Sequence, residues 1–201
     1  MRVSPPGARL KAVLVIGAIG FLYGFATSWI PSPNDVSVFW IGNFCAPWLV
    51  LAFLAGHRQS SWRPGAAAGM LIDVACVVGF YARGLTFHRY SWGLPESTPV
   101  VTLAVTSLGY WLYNMRFWLL AAMVGGATYG ALGFSWRRRR ALFAGLAIAV
   151  PFLAEPVLWP LRNGYYQGPW MLWAIEVAIG LVIIGVIVRY WRRLRIASRL
   201  A

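Results

Sequence analysis

Six stretches of 18 to 21 residues, nearly free of charge, divide this chain: Ala12–Ile30, Val36–Gly56, Gly65–Ala82, Phe117–Trp136, Ala141–Leu161 and Pro169–Val188. A helix of about 20 apolar residues is long enough to cross the hydrocarbon core of a bilayer. The pattern therefore predicts a polytopic, all-α bundle of six transmembrane helices. The chain is 201 residues long, 60% hydrophobic and only 11% charged. A soluble domain carries roughly 25% charged residues. No segment is long or polar enough for a separate soluble domain, so residues 1–201 read as one transmembrane domain. Arg2, Arg9 and Lys11 precede the first apolar run, which continues through Trp29 without a small-residue cleavage site. That run reads as a retained first helix.

The net charge of +13 would suggest a nucleic-acid partner in a soluble protein. Here the basic residues lie between and beyond the apolar stretches, where they orient the chain instead. With the N-terminus inside, fourteen of the eighteen fall on inner segments and four (Arg83, Arg89, Arg116 and Arg162) on outer ones. Both termini are thus expected in the cytoplasm, and no nucleic-acid partner is expected. Seventeen of the eighteen are arginine, as in a GC-rich bacterial genome, so the expected location is the bacterial inner membrane. The run Arg137–Arg140 reads as a topology anchor that touches anionic lipid headgroups.

Thr98–Asn114 is apolar but short, and it ends in Tyr110, Trp111 and Tyr113, an interfacial signature. It reads as an extra helix on the outer face. The polar loop before it, Arg83–Pro99, would suit a lid. Gly20 and Gly24 form a GxxxG pair in span one with Gly17 a turn earlier, and Gly126 and Gly130 form another in span four. Small residues let membrane helices approach closely. Packing within the chain is the plain use; docking to a membrane partner through Gly17, Gly20 and Gly24 is the sharper one.

The chain has five acidic residues, and three of them, Asp73, Glu155 and Glu176, lie inside spans. An ionisable group in hydrocarbon is costly and marks a functional site by default. Glu155, Glu176 and Asn43 come out about 9–10 Å below the outer surface on three different spans. Asp73 lies nearer the midplane. Around Glu155 stand Pro151, Pro156 and Pro160, and Pro47 lies one turn after Asn43. Prolines leave carbonyls without donors. Trp48, Tyr81, Trp159, Trp170 and Trp173 supply aromatic faces at similar heights.

Carboxylates beside aromatic faces suit a small cationic or lipid-soluble ligand. The expected ligand-binding residues are Glu155, Glu176, Asn43 and Asp73, with Trp159 and Trp173 as walls. The structural alternative is that Glu155 or Glu176 pairs with Arg116 or Arg162. His57 and His88 lack neighbours at metal spacing, and Cys45 and Cys76 read as small buried hydrophobes. Neither a metal nor a cofactor is expected. No GxxxxGK[ST], HExxH, GxSxG or paired-aspartate motif occurs.

Ala52-Phe-Leu-Ala-Gly-His, Arg63-Pro-Gly-Ala-Ala-Ala-Gly, Gly79-Phe-Tyr, Phe117-Trp-Leu-Leu-Ala-Ala-Met-Val-Gly-Gly and Phe152-Leu-Ala-Glu155 together resemble a family of small bacterial integral-membrane proteins of unknown function. The likeness extends from span one to span six and implies no activity. More distantly, the chain is similar to the substrate-binding S-components of energy-coupling-factor vitamin transporters. That likeness implies six helices, a ligand near the outer face, and a first helix that docks on a partner through small residues. A binding or transport component is the leading expectation. An intramembrane enzyme on a lipid-soluble substrate, such as an isoprenoid cyclase with Glu155 or Asp73 as general acid, is the second. A structural or assembly protein is the third.

Overall fold

In a computed structural model the chain is described over residues 6–29, 45–86, 99–163 and 170–200. These residues form helices and short connections, with no strand among them. The helices are α1 (Pro6–Ser28), α2 (Cys45–His57), α3 (Trp62–Thr86), α4 (Val100–Arg139), α5 (Leu142–Leu146), α6 (Val150–Asn163) and α7 (Trp170–Leu200), and a 3₁₀ turn at Ala147–Ala149 joins α5 to α6. Segments long and apolar enough to cross a membrane lie at Leu10–Ser28, Trp62–Arg83, Ala104–Arg139 and Trp173–Arg193. Ala46–His57 and Leu142–Leu158 are shorter apolar helices. The protein is a membrane protein with four helices of spanning length among the described residues. The first part of the expected second span, residues 36–44, and the expected site residue Asn43 with it, lie outside the described residues.

The expected outer-face helix at Thr98–Asn114 is not a separate element. From Val100 it runs into span four as one helix, Val100–Arg139, of 40 residues. That is about 60 Å long, twice the hydrocarbon thickness. Tyr110, Trp111 and Asn114 mark an interface but do not break a helix, and no proline or glycine separates them from Phe117. The helix stops at Arg140, whose left-handed backbone (φ 49°, ψ 33°) turns its N–H back to the Trp136 carbonyl. This is a helix C-terminal cap built on a non-glycine residue.

The expected fifth span is broken at the 3₁₀ turn. Pro151 has no N–H to offer the Ala147 carbonyl four residues earlier, which accepts the Val150 N–H of the 3₁₀ turn instead. The Tyr129 hydroxyl of α4 donates to that carbonyl at 3.0 Å. The turn and a neighbouring helix together satisfy the break, as apolar surroundings require.

Packing centres on α3, which contacts α1, α2 and α4. The contacts are backbone to backbone. A methyl at Gly24 would strike the Cys76 carbonyl, and one at Gly20 would meet the Ile72 carbonyl and lie 3.0 Å from Ala75 Cβ. Gly69 and Gly126 face each other's carbonyls across α3 and α4, and Gly130 faces that of Gly65. The GxxxG pairs of spans one and four therefore pack helices within the chain. Gly17 has open space around it. The residue pairing makes α1 parallel and α4 antiparallel to α3. The α6–α7 pair joins this bundle through α2 and α5. Leu14 and Leu22 of α1 and Ile175, Val182 and Val186 of α7 are exposed, as lipid-facing positions are.

Candidate functional site

Backbone contact at the glycines sets the register above them. Moving outward from Gly69 and Gly126, α3 presents Asp73, Val77, Phe80 and Tyr81, and α4 presents Gly125, Ala122, Ala121 and Trp118. Both sets follow the i, i+3/i+4, i+7 spacing of one helix face. With Trp48 and Leu49 of α2 they enclose a cavity of about 300 Å³. That lies at the lower end of the size range of small-molecule sites.

Three small residues open the α4 wall beside Trp118, and Trp48, Phe80 and Tyr81 supply rings on the facing helices. Trp48 packs on Phe80 with centroids 5.9 Å apart, and Phe80 meets Tyr81 edge-on at 5.5 Å. Above, the Trp111 indole donates to the Tyr81 carbonyl at 2.8 Å, tying α4 to α3 beyond the cavity. At the glycine end lies Asp73, 2% exposed, whose Oδ1 has no hydrogen-bond partner among the described residues. Asp73 Cβ also packs against the Gly126 position, so the close helix approach holds the acid in place.

Glu155 and Glu176 form a separate site. Both are buried, and their charges are near enough to interact. Glu155 reaches from α6 to α2, where its Oε2 accepts a hydrogen bond from the Ala46 N–H at 3.3 Å. That N–H lies in the first turn of α2, where backbone donors have no helical partner and a negative charge is favoured. Neither carboxyl oxygen of Glu176 has a hydrogen-bond partner among the described residues. Trp173 is buried nearby on α7, edge-on to Trp170 at 5.1 Å.

Four of the six expected site residues are thus described with their side chains, and they fall in two places. Asp73 stands with Trp48 and Tyr81 at the cavity. Glu155 and Glu176 stand on the α6–α7 pair, with Trp173 on α7. Trp159 is described only by its backbone in α6. The expected pairing with Arg116 is not formed. Arg116 is exposed, donates to the Tyr113 carbonyl of its own helix, and lies over the Tyr113 ring at 3.4 Å. The side chain of Arg162 lies outside the described part. Among the described residues no three His, Cys, Asp or Glu side chains come together as metal ligands would.

Sequence reading passed over Trp118, Ala121, Ala122 and Gly125. Their spacing was a usable signal: one helix face carrying three small residues and a tryptophan, in a chain with an acid on a facing span.

No curated protein and no solved structure is similar to the chain. Residues 3–94, which run through α1, α2 and α3, match a family of unknown function (DUF6518), and over that stretch the resemblance to an uncharacterised family holds.

Proposed function

We propose that this is a multi-pass protein of the bacterial inner membrane, with both termini cytoplasmic, that binds a small cationic, lipid-soluble molecule in the cavity beside Asp73. The observation that carries this is the buried Asp73 Oδ1, without a partner among the described residues, in a cavity walled by aromatic rings. A carboxylate in such surroundings has lost its hydration. A bound cation restores a partner, and the rings of Trp48, Phe80 and Trp118 add cation–π attraction. The split of fourteen basic residues against four supports the orientation. Within this reading Glu155 holds the C-terminal helices to α2, and Glu176, Trp173, Trp159 and Asn43 belong to a second polar level. Gly17 is the one glycine of its set still open to a membrane partner.

The test is binding of 2-phenylethylammonium and of the neutral 3-phenylpropanol to purified protein, followed by tryptophan fluorescence. The parent is expected to prefer the cation. Asp73→Asn is expected to weaken cation binding about tenfold, the effect of losing ~1.4 kcal/mol, and to leave the alcohol unchanged. Equal affinities in parent and variant would remove the proposal.

The same geometry favours one second reading. A protonated Asp73 facing aromatic walls could donate its proton to an isoprenoid alkene, with the rings stabilising the resulting cation. Turnover of a polyprenyl substrate that Asp73→Asn abolishes would select catalysis over binding.

A further inference from the structure

One end of the bundle gathers basic residues from the turn after α2, the start of α3, the end of α4 and α7. The turn after α2 carries Arg58, Gln59 and Ser60, and these meet Phe134, Arg137 and Arg138 of α4 around a recess of about 430 Å³. The recess is built by specific contacts. Arg137 Nη1 donates to the His57 carbonyl at 3.1 Å and so ties α4 to the end of α2. Arg140 lies over the Tyr190 ring of α7 at 5.5 Å, and Tyr190 in turn packs on Trp136 at 6.0 Å. Arg140 is the one non-glycine residue with positive φ among those described. Single residues in that region cost about 1–2 kcal/mol and persist where surrounding structure imposes them. Arg58 and Arg138 are exposed.

Among the described residues no carboxylate meets these arginines. Of the chain's five acids, Asp73, Glu155 and Glu176 are buried within the bundle. The positive charge converges where none of the described acids reaches. His57 registers this: burial first, and then the charges of Arg137, Arg140 and Arg58, hold its imidazole below the usual range.

The level of the recess identifies the source of the missing anion. Trp62 is exposed, with Arg63 over its ring at 5.4 Å. Phe143 is exposed on the neighbouring α5. Tryptophan, tyrosine and arginine together mark the headgroup layer of a bilayer. Phe134 at the recess and Leu54 on the outside of α2 provide apolar surface beside the charges. A phosphate with acyl chains attached matches both; a free phosphate or a nucleic acid would leave the apolar flank unused.

We propose that the recess between the α2–α3 turn and the end of α4 binds the phosphate headgroup of an anionic phospholipid through Arg58, Arg137 and Arg138, with Ser60 as a further donor. Basic recesses between helices at the cytoplasmic face are suited to this, and guanidinium groups bind phosphate oxygens in pairs. The assignment is independent of the Asp73 cavity.

The test uses full-length protein in detergent, given phosphatidylglycerol, phosphatidylcholine, inorganic phosphate or a single-stranded oligonucleotide. Native mass spectrometry reads the retained ligand, and the thermal midpoint reads stability. Phosphatidylglycerol is expected to be retained and to raise the midpoint, with phosphatidylcholine and inorganic phosphate doing neither. The doubly substituted Arg58→Gln, Arg138→Gln protein is expected to retain about tenfold less phosphatidylglycerol. An Arg192→Gln, Arg193→Gln control, on α7 outside the recess, is expected to stay within about twofold of the parent. Both Arg58 and Arg138 are exposed, so an unchanged midpoint without lipid confirms that the variant is folded. Equal loss in the control would mean diffuse attraction and overturn the site. A response to inorganic phosphate equal to that of the lipid would make it an anion site only. Displacement of the lipid by the oligonucleotide would assign the surface to nucleic acid.

Discussion

The two halves of the bundle use glycine in opposite ways. In α1, α3 and α4, Gly24, Gly69 and Gly126 lie against the backbone of a neighbouring helix. In the C-terminal part, Gly180 faces the side chains of Leu153 and Phe152, Gly145 faces the Trp136 ring, and Gly185 faces open space. Backbone cannot retreat from an added methyl, but a side chain can rotate. The first half is therefore a fixed frame, and the second is adjustable. Their acids follow suit. Asp73 is set in the frame beside a cavity, whereas Glu155 spans from the adjustable part to the first turn of α2. A frame defines a pocket; a strut between helices keeps two parts together.

The largest expected effect tests the frame directly. Gly24→Leu and Gly69→Leu are expected to prevent assembly, since even one forced methyl costs about 1–3 kcal/mol in a packed interior. Gly185→Leu and Gly17→Leu are expected to assemble normally. Size-exclusion profiles and helical circular dichroism after extraction would show this. Normal profiles for all four variants would erase the distinction.

A smaller effect separates the acids of the second half. Glu155→Ala leaves the Ala46 N–H without its acceptor and is expected to cost about 1–3 kcal/mol, read as a lower thermal midpoint. Glu176→Gln removes a charge that has no partner among the described residues and is expected to hold or raise the midpoint. If Glu155→Ala were neutral while Glu176→Gln destabilised, the roles would be exchanged.

The smallest effect lies at His57, the last residue of α2. Burial, and then Arg137, Arg140 and Arg58, lower its pKa in the fold. The unfolded chain therefore takes up the proton first. Stability from this group is complete above about pH 6.5, the ordinary histidine value, and declines as pH falls below it. His57→Gln is expected to remove part of the loss in thermal midpoint between pH 7.5 and pH 5.5. An identical loss in the variant would show that the arginines do not act on this ring.

Much of this arrangement was legible in residue type and spacing. Span one as far as Ser28 and span three throughout lie within α1 and α3, because no proline falls inside either apolar run. The GxxxG pairs named interfaces that the structure forms. Arg116 and Arg137 lie 21 residues, about 32 Å, apart on α4, and the apolar run of spanning length extends back past Arg116 to Ala104. The continuity of that helix was hidden because interfacial aromatics signal a membrane boundary, not a chain break. The cavity was hidden for a different reason. Its walls depend on which residue of α4 lies opposite Asp73, and that register is fixed by Gly69 against Gly126. Likewise Pro151 announces a carbonyl that loses its usual helical donor, but nothing local names Tyr129 as a second one.

The contact between Gly24 and Cys76 carries a thermal consequence. When two helices part within a bilayer, the surfaces they expose meet acyl chains instead of water. Curvature in the stability of soluble domains comes from hydrating apolar surface, through a large heat-capacity change. Separation of α1 from α3 has little of that term. Its free energy varies almost linearly with temperature, and the contact does not loosen in the cold.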